Sequence, residues 1–72
     1  MQKISIYTEN INLSQLLKWA NITNSGGEAK TFIREGKIKV NGEVVKSPGK
    51  KIFPGDVVEF ADTEKKYLVE GE

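Results

Sequence analysis

Residues 25–42 read SGGEAKTFIREGKIKVNG, and this stretch decides the architecture. Ser25 followed three positions later by Glu28 is a capping box, in which a serine hydroxyl takes up an otherwise orphaned amide of the first helical turn. Ala29, Phe32 and Ile33 then fall on one face at helical spacing, and Gly36 stands where a left-handed residue ends a helix. After Gly36 the period changes to two. Ile38 and Val40 point one way, Lys37 and Lys39 the other, which is the alternation of a half-buried strand. Asn41-Gly42 closes the stretch with a type I′ hairpin signal, because that turn needs positive φ at both central residues.

Working outward, residues 13–20 (LSQLLKWA) place Leu13, Leu16, Leu17 and Ala20 on one helical face. Asn12 serves as N-cap, and Gln15 completes a capping-box pattern. Residues 2–7 alternate around Ile4 and Ile6 as a short strand. Past the hairpin, Val44-Val45 begins a return strand that Ser47-Pro48-Gly49 interrupts. Residues 50–53 and 56–61 read as strands flanking Pro54-Gly55, and 66–69 as a last strand before a frayed acidic tail, 70–72. The expected order is β-α-α-β-β-β-β: an α+β domain with two helices packed on a small, mostly antiparallel sheet. Its core is expected to hold Ile4, Ile6, Leu13, Leu16, Leu17, Ala20, Ile22, Ala29, Phe32, Ile33, Ile38, Val40, Ile52, Val57, Leu68 and either Val58 or Phe60. Trp19 either caps the helix packing or forms a part-exposed stacking surface, and packing is the expectation.

At 72 residues the chain is one domain, residues 1–72, without room for the deep cleft most enzymes build. Cysteine and histidine are both absent, which excludes disulfides and removes the usual neutral-pH base, the nucleophile–base pair and the commonest metal ligand. No phosphate-loop or dinucleotide motif occurs, and Glu59 with Asp62 reads as solvated surface rather than a catalytic pair. The expectation is a non-enzyme with no cofactor, no metal and no small-molecule substrate. No apolar run is long enough to span a bilayer. Met1-Gln2-Lys3 opens into alternation rather than a signal-peptide core, so a cytoplasmic module without a membrane partner is expected.

The formal charge of +1 conceals an asymmetry. Residues 30–51 carry seven bases against two acids, a net of +5, whereas the remainder carries four bases against eight acids, a net of −4. A basic middle between acidic ends suits a protein that presents one face to a polyanion. On the second helix Lys30 and Arg34 share a stripe at i, i+4, roughly 130° around from the apolar centre. Gly26 and Gly27 bare the backbone N–H groups of that helix's first turn, where the helix dipole favours an anion. Alternatively, the two glycines relieve a tight inter-helix turn.

Together the stretches LSQLL, SGGEAKTFIREGKIKVNG and FPGDVVEF resemble the S4-type RNA-binding domain, over about Leu13 to Phe60. SGGEAK behind a short leading strand is most similar to the stand-alone single-domain bacterial members of that family, the YaaA/YbcJ-like group. The resemblance implies the S4-like αL motif and non-catalytic binding of structured RNA, ribosomal RNA or a ribosomal particle; with no specific dimer signal in the sequence, a monomer is expected. Carried onto this chain, the RNA-binding face comprises Ser25, Gly26, Gly27, Lys30, Arg34, Lys37, Lys39 and Asn41. Two positions depart from the family pattern: Asn12 and Gly26 stand where many members carry arginine. The absence of an aromatic array argues against single-strand stacking as the main mode. Two other readings compete. An adaptor docking an acidic protein partner would use the same basic face. A β-grasp sulfur carrier shares the Val-Asn-Gly hairpin but needs a C-terminal Gly-Gly, where this chain reads Glu70-Gly71-Glu72.

Overall fold

The computed structural model describes residues 1–61, 63 and 65–71. The elements run β1 (Gln2–Ile6), β2 (Ile11–Asn12), α1 (Leu13–Trp19), α2 (Gly26–Arg34), β3 (Ile38–Val40), β4 (Glu43–Val44), β5 (Lys51–Ile52), β6 (Val57–Phe60) and β7 (Lys66–Gly71). Five strands form one sheet in the order β1-β7-β6-β3-β4, and β2 pairs separately with β5. Only β1 with β7 is parallel; the other pairings are antiparallel. The expected α+β layout of two helices on a mostly antiparallel sheet is present; against the expected order, the two-residue β2 is added before α1 and five strands rather than four follow α2 among the described residues.

Both helices begin and end on local chemistry. Asn12 Oδ1 accepts from the Gln15 amide at 2.9 Å, and Ser25 Oγ accepts from the Glu28 amide at 3.1 Å. Glu28 reaches back one residue further than expected, accepting from the Asn24 amide at 3.2 Å. At its other end α2 closes in a Schellman motif: the Gly36 amide donates to Ile33 O and the Lys37 amide to Phe32 O, with Gly36 at φ +77°. The same motif ends α1 around Asn21, at φ +58°, with amides of Asn21 and Ile22 donating to Lys18 O and Leu17 O. Asparagine tolerates the left-handed region better than most side-chain-bearing residues, so this stop too is encoded locally, though less strongly than the glycine one.

The sheet buries one face against the helices. Ile4, Ile6, Ile38, Val40, Val58 and Val69 join Leu13, Leu16, Leu17, Ala29, Ile33 and Ile52 in a single core. Of the alternatives at β6, Val58 is fully buried while Phe60 packs on the core's edge, T-shaped to the half-buried Phe32 at 5.5 Å. Register corrects two expected core positions, Val57 and Leu68. Ile4 is opposite Val69, and Leu68 is opposite Lys3 and Val57, so Leu68 and Val57 lie on the outer face. The pattern Lys66-Tyr67-Leu68-Val69 offers an apolar residue in either phase, and only pairing with β1 chooses between them.

The tail expected to fray does not do so at residues 70–71. Glu70 and Gly71 pair with Ser5 and Ile6, Lys3 Nζ lies 3.6 Å from Glu70, and a Cβ on Gly71 would stand 3.1 Å from Pro54. Parallel pairing with the first strand, invisible to local patterning, holds it; Glu72 lies outside the described residues. Trp19 is also corrected: it is 55% exposed rather than packed.

The two remaining turns match their sequence signals. Asn41 and Gly42 adopt φ +53° and +85°. Phe53-Pro54-Gly55-Asp56 closes with the Asp56 amide on Phe53 O at 3.0 Å and Gly55 at φ +98°, the type II arrangement that Pro-Gly favours. No helix is long and apolar enough to cross a membrane, and among the described residues no group of three or more potential metal-ligating side chains forms.

Candidate nucleic-acid interface

The loop between the helices sets their relative placement. Thr23 is buried, its amide donating to Leu17 O and its hydroxyl to Ser25 O. This ties the start of α2 to the end of α1 and leaves a groove between the helices. The groove, about 300 Å³, is lined by Asn12, Ser14, Gln15 and Lys18 from the α1 side and by Gly26 and Lys30 from α2.

The two helix N-termini differ in what they offer. In α1 the Leu13 and Ser14 amides are already taken by Lys50 O at 2.9 Å and Pro48 O at 3.1 Å. In α2 the Glu28 and Ala29 amides are taken by Ser25 Oγ and Ser25 O, whereas Gly26 and Gly27 have no intramolecular acceptor among the described residues. Neither glycine has positive φ, and a Cβ would meet nothing within 4 Å at Gly26 and only Ser25 Oγ, at 3.9 Å, at Gly27. The fold therefore does not require glycine at either position, and relief of a tight turn does not account for the pair. What the missing side chains change is access to two free N–H groups at the positive end of a nine-residue helix.

The eight candidate residues do not form one continuous surface. Ser25, Gly26, Gly27 and Lys30 gather at the start of α2. Arg34, exposed one turn beyond Lys30, extends that line along the helix. Lys37 is half-buried beside α2, its Nζ 3.5 Å from Glu35 and 5.3 Å from the Phe32 ring centroid. Lys39 projects from the sheet face opposite the helices, because its neighbours Ile38 and Val40 point into the core; it stands in register between Glu59 and Val44. Asn41 is exposed, but its side-chain amide is engaged by intramolecular hydrogen bonds. Its Oδ1 accepts from the Val57 amide at 3.0 Å, and its Nδ2 donates to Asp56 Oδ1 at 3.1 Å, while Asp56 Oδ2 accepts from the Phe53 amide at 2.8 Å.

Sequence reasoning missed Asn12, Gln15 and Lys18 as groove residues. The signal was partly there: Gln15 and Lys18 sit at i, i+3 on the polar side of α1. Which partner faces that side depends on how α2 docks, and no local pattern states it.

Known proteins share both this sequence and this fold. A probable ribosome maturation protein RlbA of Bacillus subtilis is 50% identical over 57 residues, which cover 79% of this chain and 80% of that protein. A putative RNA-binding protein YbcJ of Escherichia coli is 41% identical over 51 residues, 71% of this chain and 73% of its own. The solution structure of YbcJ, described as revealing a motif involved in RNA binding, superposes with a TM-score of 0.71 at 34% identity, covering 97% of this chain and 87% of that one. The family model of the S4 domain matches residues 4–70, and this chain belongs to the S4 domain family.

Proposed function

We propose that this chain binds structured RNA, without any chemical step, at the groove between α1 and α2, and that the RNA is ribosomal RNA or part of a ribosomal particle. One observation carries the reading: the bare first turn of α2 at Gly26 and Gly27 opens onto a groove whose two cations are Lys18 and Lys30. A phosphate seated there accepts backbone N–H bonds and lies between two ammonium groups, with Arg34 taking a neighbouring phosphate along the helix. Such contacts read the shape of a folded RNA more than its sequence. The names of two relatives, one a ribosome maturation protein and one an RNA-binding protein, support the partner class. Lys39, on the far side of the sheet, adds to the long-range field, and Asn41 shapes the hairpin.

Titration onto ribosomal RNA fragments by fluorescence anisotropy at several salt concentrations tests this. The expected slope of log K against log[salt] is about −2 to −4, for roughly three to five neutralised phosphates. Absent or salt-insensitive binding would overturn the reading in favour of an acidic protein partner.

The glycines give a test with opposite signs. Gly26→Ala and Gly27→Ala are each expected to leave stability unchanged or raise it by up to about 1 kcal/mol, since alanine restricts the unfolded chain. Each is also expected to weaken RNA binding about tenfold, the loss of one charge-assisted hydrogen bond. Thermal unfolding and anisotropy on the same preparations read both.

A further inference from the structure

Beyond the groove, α1 presents a second surface. Gln15 and Lys18 form a ridge with the groove on one side and, on the other, an open cleft of about 560 Å³ that Thr8, Asn10, Ile11 and Trp19 line with them. Trp19 and Tyr7 are 55% and 74% exposed, and their rings meet edge to face at 6.2 Å and 89°. The indole is fixed in place: its Nε1 donates to Ser5 O at 3.0 Å, so its polar edge is satisfied while its ring remains in solvent.

We infer that the Tyr7–Trp19 corner is a second RNA contact, which seats an unpaired nucleobase of the strand crossing the Gln15–Lys18 ridge. This rests on the proposed RNA-binding groove and adds a separate subsite to it. A base stacked on the indole gains a flat, preordered partner, and base–aromatic stacking tolerates any base because each has a π-face. Asn10 and Gln15 in the lining provide donors and acceptors for its polar edge, and the Thr8 hydroxyl, which donates to Asn10 O at 2.7 Å, provides a further acceptor. Lys18 borders both clefts, so a phosphate held over the ridge places the next base beside Trp19; the separation is about one helix diameter, ~10 Å. No acidic side chain lines the cleft among the described residues. The patch is too small for a stable protein interface: two aromatic side chains offer about 300–500 Å² even when wholly exposed, against about 800 Å² per partner.

Trp19 is the chain's single tryptophan, which makes the test direct. The probes are a blunt RNA hairpin and the same hairpin with a single-stranded adenosine tail. The tailed hairpin is expected to quench Trp19 fluorescence and the blunt one to leave it nearly unchanged. Trp19→Ala is expected to weaken binding of the tailed hairpin roughly 5- to 100-fold, with little effect on the blunt one, while Trp19→Phe retains most of the affinity. Tyr7→Ala, at a side chain with no fold-stabilising hydrogen bond shown, is expected to act in the same direction. Equal loss for both hairpins, or no quenching by the tail, overturns the stacking subsite while blunt-hairpin binding that depends on Lys30 keeps the groove. Quenching that grows with protein concentration alone would assign the corner to a second copy of the chain and likewise overturn it. Failure of both hairpins to bind removes the groove and the subsite together.

Discussion

Replacing Lys30 and Arg34 together by glutamate is expected to weaken RNA binding by at least about 30-fold at 0.15 M salt. Each phosphate contact makes affinity scale as salt to about the −0.9 power, which is roughly sixfold per contact between 0.15 M and 1 M. Two lost contacts multiply, and the introduced carboxylates add repulsion. The same variant is expected to make the salt slope shallower by about 2. Its fold should persist, because both side chains are exposed and neither joins an ion pair among the described residues. The main stability effect comes from Arg34, a cation in the last turn of α2, whose reversal costs about 0.3–1 kcal/mol through the helix dipole. Anisotropy across a salt series, with circular dichroism of the variant, separates the two effects.

Asn41→Ala is expected to lower stability by about 2–5 kcal/mol. The substitution removes two hydrogen bonds, each worth about 0.5–1.5 kcal/mol, and forces alanine into a left-handed conformation that costs about 1–2 kcal/mol. The Asp56 carboxylate then loses one of its two partners, although it keeps the Phe53 amide. In a domain of this size each kcal/mol shifts the midpoint by about 4–8 °C, so a fall of more than 8 °C is expected on thermal unfolding. Asn41→Gly, which removes the side-chain bonds but not the left-handed preference, is expected to recover the conformational part. RNA affinity of the folded Asn41→Ala protein should change less than twofold, since the side chain is spent on joining the β3–β4 turn to β6.

Much of the local chemistry was legible, the Asn21 stop of α1 and the reach of Glu28 to Asn24 excepted. Asn12 and Ser25 cap the helices, Gly36 stops α2, and Asn41-Gly42 and Pro54-Gly55 turn the chain, because each signal involves residues within a few positions of one another. What depended on distant pairing was not. Leu68 and Val69 are both apolar, and only the parallel register with β1 assigns Val69 to the core. The tail at Glu70-Gly71 looked free for the same reason. Trp19 follows three apolar helix positions and so suggested packing, yet at the end of a seven-residue helix it passes beyond the core and lies against the β1 edge.

The candidate site divides along the same line. The start of α2 could be read from Ser25 to Lys30 because glycines, cap and cation lie within two turns of one helix. Charge grouped Lys39 with Lys30 and Arg34, although strand alternation, with Ile38 and Val40 in the core, already set it on the face away from the helices. Lys18 went unnoticed because it lies outside the basic middle of the sequence, and the docking of α2 onto α1 brings it beside Lys30.

Backbone amide chemical shifts, followed by two-dimensional nitrogen–proton NMR while a ribosomal RNA fragment is added, test the central claim most directly. The amides of Gly26, Gly27 and Lys30 are expected to shift most and to saturate together, with Lys18 following and Lys39 nearly still. Shifts centred on Lys39 and Glu59, with Gly26 and Gly27 unmoved, would contradict the α1–α2 groove as the RNA-binding site.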